Sequence, residues 1–333
     1  MKQLLFILSI SGLVLLSSCG NDTATKSPTV ETKGDASKLK IPTVSADSVY
    51  QFVQTQVDFG PRVPGSEGHI ACKNWLVEKF KSYGAKVIEQ DFTANIYTGD
   101  ALPSTNIIAQ FNLNFKKRIL LSAHWDTRMF GDKDPDESMR DKPILGADDG
   151  GSGVAILLEI ARLINENPID MGVDIILFDA EDQGQSGNGP KEYWCLGAQH
   201  WAKNLHVRNY KPKYGVLLDM VGAKNPSFGQ DEISRRFAGE PMNKFWNLAN
   251  GMGYGGMFVR NNTDGLTDDH YFVNTIANIP MFDIINQPPN SQFGFQKCWH
   301  THCDDMSSIS KRSLRIVGQV VTAALYKESI GNL

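Results

Sequence analysis

The sequence lacks three features that each mark a particular class of protein. Its most apolar stretch, residues 4–16, is shorter than the roughly 20 residues that a membrane-spanning helix needs. No basic tract and no basic stripe with interleaved aromatic residues is present, and the 33 Lys and Arg residues are interspersed with 37 Asp and Glu residues. Nucleic-acid binding is therefore not expected. No internal repeat occurs, which argues against a solenoid or propeller.

The first residues have the features of an export signal. Lys2 supplies a positive end, residues 4–16 form a hydrophobic core, and Leu-Ser-Ser-Cys-Gly follows at 16–20. This last segment resembles a bacterial lipobox, which implies cleavage before Cys19 and lipid attachment there. An ordinary secretory signal with an incidental cysteine is the alternative. We predict a signal peptide at 1–18, a flexible tether at 19–44 beginning at lipidated Cys19, and a single catalytic domain at 45–333. The domain would be anchored to a bacterial membrane and face the periplasm or the cell surface.

Cysteine is scarce, with five residues in 333. Cys19 belongs to the targeting segment, which leaves Cys72, Cys195, Cys298 and Cys303. An exported protein permits disulfides, and Cys298 and Cys303 are close enough in sequence for a local bridge. The alternative, that all four are free buried thiols, carries equal weight at this point.

Strand-like and helix-like segments alternate along the predicted domain. Apolar runs near 118–123, 173–178, 214–219 and 279–285 indicate strands, and segments with helical spacing near 154–164, 234–250 and 310–326 indicate helices. This alternation predicts the α/β class with a mixed, mostly parallel central sheet.

Polar residues follow several of these apolar runs. They are His124, Glu181-Asp182, Asp219 and, after a long loop, Trp299-His300; Asp148-Asp149 lie in the Gly-rich turn before the 154–164 helix. Because the carboxyl ends of parallel strands meet at one edge of a sheet, we expect these side chains to converge. Imidazole and carboxylate together are typical of zinc, whereas Mg²⁺ and Ca²⁺ prefer oxygen alone. Singly, each has a simpler explanation: Asp148-Asp149 as helix caps, Glu181-Asp182 as solvated loop charge, and Asp219 as a partner of arginine.

A second zinc-site hypothesis concerns the segment 298–303, Cys-Trp-His-Thr-His-Cys, which holds four possible ligands in six residues. The spacings usual for structural zinc are absent, which disfavours it. A lipoprotein that binds without catalysing is also disfavoured, because Glu181 has no obvious structural duty.

The whole pattern resembles the zinc aminopeptidase superfamily and, within it, the glutaminyl cyclases. The resemblance rests on Gly-Pro-Arg-Val-Pro-Gly-Ser at 60–66, His-Trp-Asp at 124–126, Gly-Ala-Asp-Asp at 146–149, Asp-Ala-Glu-Asp at 179–182, Asp-Met-Val-Gly at 219–222, Thr-Asp-Asp-His at 267–270 and Trp-His-Thr at 299–301. It implies a three-layer α/β/α sandwich and one Zn²⁺ per chain.

Position by position, the resemblance implies roles for individual residues. Asp149, Asp182 and His300 would hold the zinc, although the family usually has Glu where Asp182 stands. Glu181 would be the general acid and base. His124 and Asp219 occupy the second-metal positions of two-zinc aminopeptidases, but cyclases use a single zinc. In a cyclase, Asp219 would hold the amine or the departing ammonia, with Asp268 sharing its hydrogen bonds.

The sequence leaves two activities open, and both act on a peptide's free N-terminus. An aminopeptidase would direct metal-activated water at the first peptide bond, whereas a cyclase would convert N-terminal glutamine to pyroglutamate without water. Trp299, directly before His300, is typical of the cyclases, where it lines a dry pocket; a plain core tryptophan is the rival explanation. Trp194 is another predicted pocket aromatic, and Phe293 and Phe295, in the loop before His300, are predicted to form a further wall. We therefore predict a cyclase acting on N-terminal Gln peptides, expected to be monomeric.

Overall fold

A computed structural model describes residues 39–187, 189–292 and 294–333. These residues belong to one compact unit. The predicted signal peptide, Cys19 and most of the predicted tether therefore lie outside the described residues. Among those that are described, no helix is both long and apolar enough to cross a membrane.

The chain forms eight strands and seven α-helices in the described part. In order they are α1 Ala46–Asp58, α2 Glu67–Ser82, β1 Lys86–Asn95, β2 Ala101–Phe111, β3 Arg118–His124, α3 Gly151–Glu166, β4 Gly172–Phe178, α4 Leu196–Lys203, β5 Gly215–Asp219, β6 Phe228–Asp231, α5 Glu232–Gly251, β7 Phe258–Thr263, α6 Asp269–Ile276, β8 Met281–Ile285 and α7 Lys311–Ser329. The predicted strands and long helices are all present. The pair β6–β7 and helix α6 were not predicted.

Six strands form the central sheet in the order β1-β2-β4-β3-β5-β8. Strands β3, β4, β5 and β8 run parallel, while β1 and β2 are antiparallel at one edge. Every residue of β4 and β5 is buried, as expected for strands covered on both faces. The predicted mixed, mostly parallel sheet is confirmed.

Helices cover both faces of the sheet and enclose two hydrophobic cores. Side chains of α1, α2, α3, α5 and α7 pack in the larger core, and α4 and α6 pack in the smaller one. The predicted three-layer α/β/α sandwich is therefore also confirmed. Its consequence for the site is that four parallel strands deliver their carboxyl ends to one edge.

Candidate active site

The carboxyl edge of the parallel sheet gathers the acidic and imidazole groups of the site. His124 ends β3, Asp219 ends β5, and Glu181 and Asp182 follow β4. Asp149 precedes α3. The helix-cap explanation of Asp148-Asp149 is wrong, because Gly150 is the N-cap of α3 and no side chain caps it.

Asp149, Asp182 and His300 form a compact buried triad. His300 Nε2 lies 3.0 Å from Asp182 Oδ1 and 3.9 Å from Asp149 Oδ2. One ligand atom from each residue lies within 4.8 Å of the others. Asp149 Oδ2 and Asp182 Oδ2 have no hydrogen-bond partner among the described residues although they are buried. Two buried carboxylate oxygens that lack donors beside one imidazole require a cation or a proton to stabilise them.

These three residues fit a zinc ion. Tetrahedral Zn²⁺ bonded at 2.0–2.2 Å places neighbouring ligand atoms about 3.4 Å apart, and the two distances above bracket that value. The donors are one imidazole nitrogen and two carboxylate oxygens, all ligand types that zinc takes, and three is the number of protein ligands in a catalytic zinc site with one position open.

Asp182 reaches the triad although it is one methylene shorter than glutamate. The backbone turns sharply before it, because Ala180 has a φ of 52° in the left-handed region. Arg128 Nη1 donates to the backbone oxygen of Asp182 at 2.8 Å and lies 3.3 Å from its Oδ1. Both features hold the short side chain at the position that the metal requires.

His124 links Asp149 to Asp219 in a second cluster. His124 Nε2 lies 2.9 Å from Asp149 Oδ1 and 3.3 Å from Asp219 Oδ1. Burial opposes a charge on His124, but contacts with Asp126, Asp149 and Asp219 outweigh it and raise its pKa well above the usual value. A protonated His124 can neutralise the two acids, a role that a second metal ion would otherwise fill. Among the described residues, Asp219 pairs with His124 and not with an arginine, so that alternative is wrong.

Glu181 forms a third cluster with Cys195 and Asp268. One ligand-type atom from each of the three lies within 4.8 Å of the others. Cys195 Sγ donates to Glu181 Oε1 at 3.2 Å. Burial, with help from Asp182 and Asp268 and against His124, raises the pKa of Glu181 well above its usual value. A carboxyl group with a raised pKa can both accept and return a proton near neutral pH.

The cavity between these groups holds about 280 Å³ and is open on one side. Trp299 and Trp194 line it, and their rings lie nearly parallel to that of His300, with centroids 3.8 Å and 6.1 Å away. Phe295 also lines the cavity, with its centroid 4.7 Å from that of Trp299. Phe293 lies outside the described residues.

A disulfide encloses the segment that carries Trp299 and His300. Cys298 and Cys303 are bonded, and Cys72 and Cys195 are free and buried. The local-bridge alternative is therefore the one observed. The four-ligand zinc hypothesis for this segment is wrong, since its two cysteines bond to each other and His302 pairs with Asp134.

Backbone strain concentrates at the pocket. Of the nine non-glycine residues with positive φ in the described part, five are asparagines, which tolerate this conformation. The other four are Ala180, Cys195, Met220 and His300. Each costs about 1–3 kcal/mol and persists only where surrounding contacts enforce it. Each of the four either belongs to the pocket clusters or lies next to one of their residues in sequence. The strained backbone at these positions therefore orients the side chains of the site.

Several supporting residues escaped sequence reasoning. Asp126 accepts from the backbone N–H groups of Glu181 and Asp182, and Asp304 accepts from those of Asp148 and Asp149. Asp126 belongs to the His-Trp-Asp motif, so the sequence could have marked it as a candidate site residue. Asp304, Arg128 and Cys195 lie in segments without a motif, so only the structure reveals their contacts.

The fold and the site together define a class of α/β enzymes built to hold a divalent metal beside an acid–base carboxylate. The particular family follows from comparison with known proteins. The chain belongs to Peptidase family M28, whose sequence pattern matches residues 106–325.

Solved structures similar to this chain include bacterial glutaminyl cyclases. That of Bacteroides thetaiotaomicron, bound to N-acetylhistamine, is 46% identical over 86% of this chain and 99% of its own, with a TM-score of 0.84. The Porphyromonas gingivalis glutaminyl cyclase is 45% identical with the same coverage and a TM-score of 0.83. A Zn-dependent exopeptidase from Parabacteroides distasonis is 46% identical, with the same coverage and a TM-score of 0.84.

Curated relatives are more distant. The glutaminyl-peptide cyclotransferase of Bos taurus is 23% identical over 78% of this chain and 76% of its own length. That of Drosophila melanogaster is 29% identical over half of this chain, and the match spans 46% of the fly protein. An aminopeptidase of Bacillus subtilis is 26% identical over 65% of this chain and 42% of its own.

Proposed function

We propose that this chain is a zinc-dependent glutaminyl-peptide cyclotransferase, which converts N-terminal Gln of peptides and proteins to pyroglutamate and releases ammonia. The observation that carries the proposal is the pairing, across one small pocket, of the Asp149–Asp182–His300 triad with Glu181. Its relatives with 45–46% identity include proteins named glutaminyl cyclase.

The triad would hold one Zn²⁺, which when bound supplies Lewis-acid polarisation of the substrate's γ-carboxamide oxygen. Glu181 accepts a proton from the substrate's α-amine, so that the amine nitrogen attacks the carbonyl carbon (Cδ) of the γ-carboxamide. Glu181 then returns the proton to the departing nitrogen, which leaves as ammonia. One carboxyl group thus serves both steps, because a raised pKa allows Glu181 both to accept the proton and to release it.

Asp219 and Asp268 lie beside Glu181 in the pocket and would hold the amine or the ammonia. Burial raises the pKa of Asp219 to about 8, with His124 opposing and Asp149 adding to the shift. A protonated Asp219 can donate a hydrogen bond, and an ionised one can accept from an ammonium group. These acids therefore position nitrogen rather than bind the metal.

Water exclusion separates a cyclase from a peptidase. The aromatic walls formed by Trp299, Trp194 and Phe295 favour a dry pocket in which the amine is the nucleophile. The metal site itself is compatible with hydrolysis, and the second cluster of His124, Asp149 and Asp219 favours the alternative of a two-metal zinc aminopeptidase.

The discriminating experiment offers peptides beginning with Gln and with Leu to the zinc-loaded protein. We expect the Gln peptide to give pyroglutamate and ammonia and the Leu peptide to remain intact. Release of free N-terminal amino acid, without pyroglutamate, would overturn the proposal in favour of the aminopeptidase. Metal analysis adds a second criterion, since one tightly bound zinc per chain is expected and two would favour the peptidase.

We also propose that the chain is a monomer attached to a bacterial membrane through lipidated Cys19, facing the periplasm or the cell surface. The support is the lipobox-like segment at 16–20. Cys19→Ala should move the protein to the soluble fraction once a wash at high salt has removed electrostatic binding to the membrane. A variant that still sediments with membranes, even after a wash at high salt, would refute lipid attachment at this residue.

A further inference from the structure

Three of the four strongly exposed large hydrophobic residues in the described part lie at the sheet edge opposite the pocket. Leu113 and Phe115, in the turn between β2 and β3, are 53% and 37% exposed, and Val207, in the loop between α4 and β5, is 43% exposed. Both loops precede parallel strands and therefore lie at the amino ends of those strands. The fourth residue, Ile70, is on α2.

The two loops are neighbours in space. Lys117 and Lys213, one beside each loop, both contact Glu328 Oε1, at 3.1 Å and 2.6 Å. Arg118 and Tyr210 likewise converge on Asp174 Oδ2, at 2.6 Å and 2.7 Å. We call the surface formed by Leu113, Phe115, Lys116, Val207, Arg208 and Lys211 the basal patch.

The basal patch carries an excess of positive charge. Lys116, Arg208 and Lys211 are exposed and make no ion pair with any residue that the structure describes. The nearby acid Glu328 is buried and already shared by Lys117 and Lys213. Glu166, at the end of α3, pairs with Arg162, which leaves Asp170 as the exposed acid of the adjoining α3–β4 loop.

We propose that the basal patch docks the domain onto an anionic lipid bilayer. Exposed Leu, Phe and Val side chains enter the boundary between headgroups and acyl chains, and the flanking cations contact lipid phosphates. The pocket lies at the opposite edge of the sheet and would face away from the bilayer, toward dissolved peptides. This surface is independent of the proposed activity and of lipid attachment at Cys19.

The test uses residues 39–333, which lack the signal peptide and Cys19. This segment suffices for folding, since solved neighbours match 86% of the chain along 99% of their own length. Flotation is measured with vesicles of phosphatidylglycerol and phosphatidylcholine, and with phosphatidylcholine alone. We expect binding to the anionic vesicles that weakens with salt, and at least about tenfold weaker partition to the neutral ones. Absence of binding to the anionic vesicles would overturn the proposal.

Two double variants locate the surface. Leu113→Ser with Phe115→Ser, and Lys116→Glu with Lys211→Glu, should each reduce partition by about tenfold or more. Ile70→Ser, equally exposed but at another surface, is the matched control and should bind like the parent. Thermal melts establish that all variants are folded. If the folded double variants bind vesicles as well as the parent does, the proposal is overturned. It is also overturned if the parent is a dimer and Leu113→Ser with Phe115→Ser converts it to monomers, because the patch would then bind a second copy of the chain.

Discussion

The buried thiol of Cys195 donates a hydrogen bond to Glu181 Oε1 at 3.2 Å. Burial and the neighbouring carboxylates raise the pKa of Cys195 well above its usual value, so the sulfur keeps its proton at neutral pH. When Glu181 is ionised, the hydrogen bond therefore runs from the thiol to the carboxylate. It orients the acid–base group, which makes Cys195 a positioning residue.

Cys195→Ala should lower kcat with little change in KM, because Glu181 loses an orienting donor while the rest of the pocket remains. A hydrogen bond to a charged group contributes about 1.5–3 kcal/mol, which corresponds to roughly tenfold to a hundredfold in rate. Cys195→Ser keeps a donor and should recover most of the activity. Equal activity of the alanine variant and the parent, measured by ammonia release, would contradict this role.

Glu181→Gln should reduce kcat by about 10²–10⁴-fold, the usual contribution of general acid–base catalysis. The zinc content should not change, because the triad of Asp149, Asp182 and His300 is intact. His300→Ala is the reciprocal variant and should lose the metal. Elemental analysis of both purified variants, together with turnover of a Gln peptide, separates the roles. An active Glu181→Gln enzyme would show that another group transfers the proton.

Zinc affinity should fall as the pH falls through the pKa of His300. Burial lowers that pKa, but Asp182 and the contact between His300 Nδ1 and Asp132 at 3.4 Å outweigh it, so the pKa is raised in the metal-free protein. Since a proton on Nε2 competes with the metal, the loss should begin above the ordinary histidine value of about 6.5. Chelator competition at a series of pH values measures it.

Asp132→Asn provides the control for this pH effect. Removing the negative charge beside His300 should lower the pKa of His300 and move the loss of zinc affinity to lower pH. An affinity that does not depend on pH, or a midpoint that Asp132→Asn leaves in place, would contradict the assignment of His300 as a ligand whose protonation competes with the metal.

Arg62 is the residue of the Gly-Pro-Arg-Val-Pro-Gly-Ser motif with the clearest structural duty. It is fully buried and donates to the backbone oxygens of Trp125, Leu145 and Gly146. Arg62→Met should destabilise the protein by about 3–5 kcal/mol, because three backbone oxygens each lose a donor and, among the described residues, only that of Gly146 keeps another, the Gly151 N–H. Lys81→Ala, which removes one half of an exposed pair with Glu78, should change stability by less than about 1 kcal/mol. Urea unfolding of the two variants measures the contrast, and equal midpoints would contradict it.

The alternation of apolar strand-like runs with helical segments was enough to predict the sheet. The runs that form β4 and β5 are mostly apolar because these strands are fully buried, and this makes them recognisable in the sequence. The order of polar residues after those strands was enough to bring His124, Asp149, Asp182 and Asp219 to one edge. The strand pair β6–β7 was missed because Phe228–Asp231 is only four residues long, and Phe258–Thr263 is rich in Asn and Arg.

What the sequence did not reveal depends on contacts between distant segments. Cys195 lies 14 residues from Glu181 and meets it only because left-handed turns at Ala180 and Cys195 fold the intervening loop back. Asp304 orders Asp148 and Asp149 across more than 150 positions. The disulfide of Cys298 with Cys303 was one of two open alternatives, since spacing alone permits a bridge without requiring it.

The most direct measurement follows the reaction of a Gln peptide in water enriched in the isotope ¹⁸O. The masses of the products are then determined by mass spectrometry. If the amine is the nucleophile, the peptide loses the mass of one ammonia and takes up no heavy oxygen, because no water enters the product. Hydrolysis would instead place one heavy oxygen in the released amino acid or in a glutamate side chain. An unlabelled pyroglutamyl peptide is the predicted result, and a labelled product formed by the zinc-loaded protein would contradict the account.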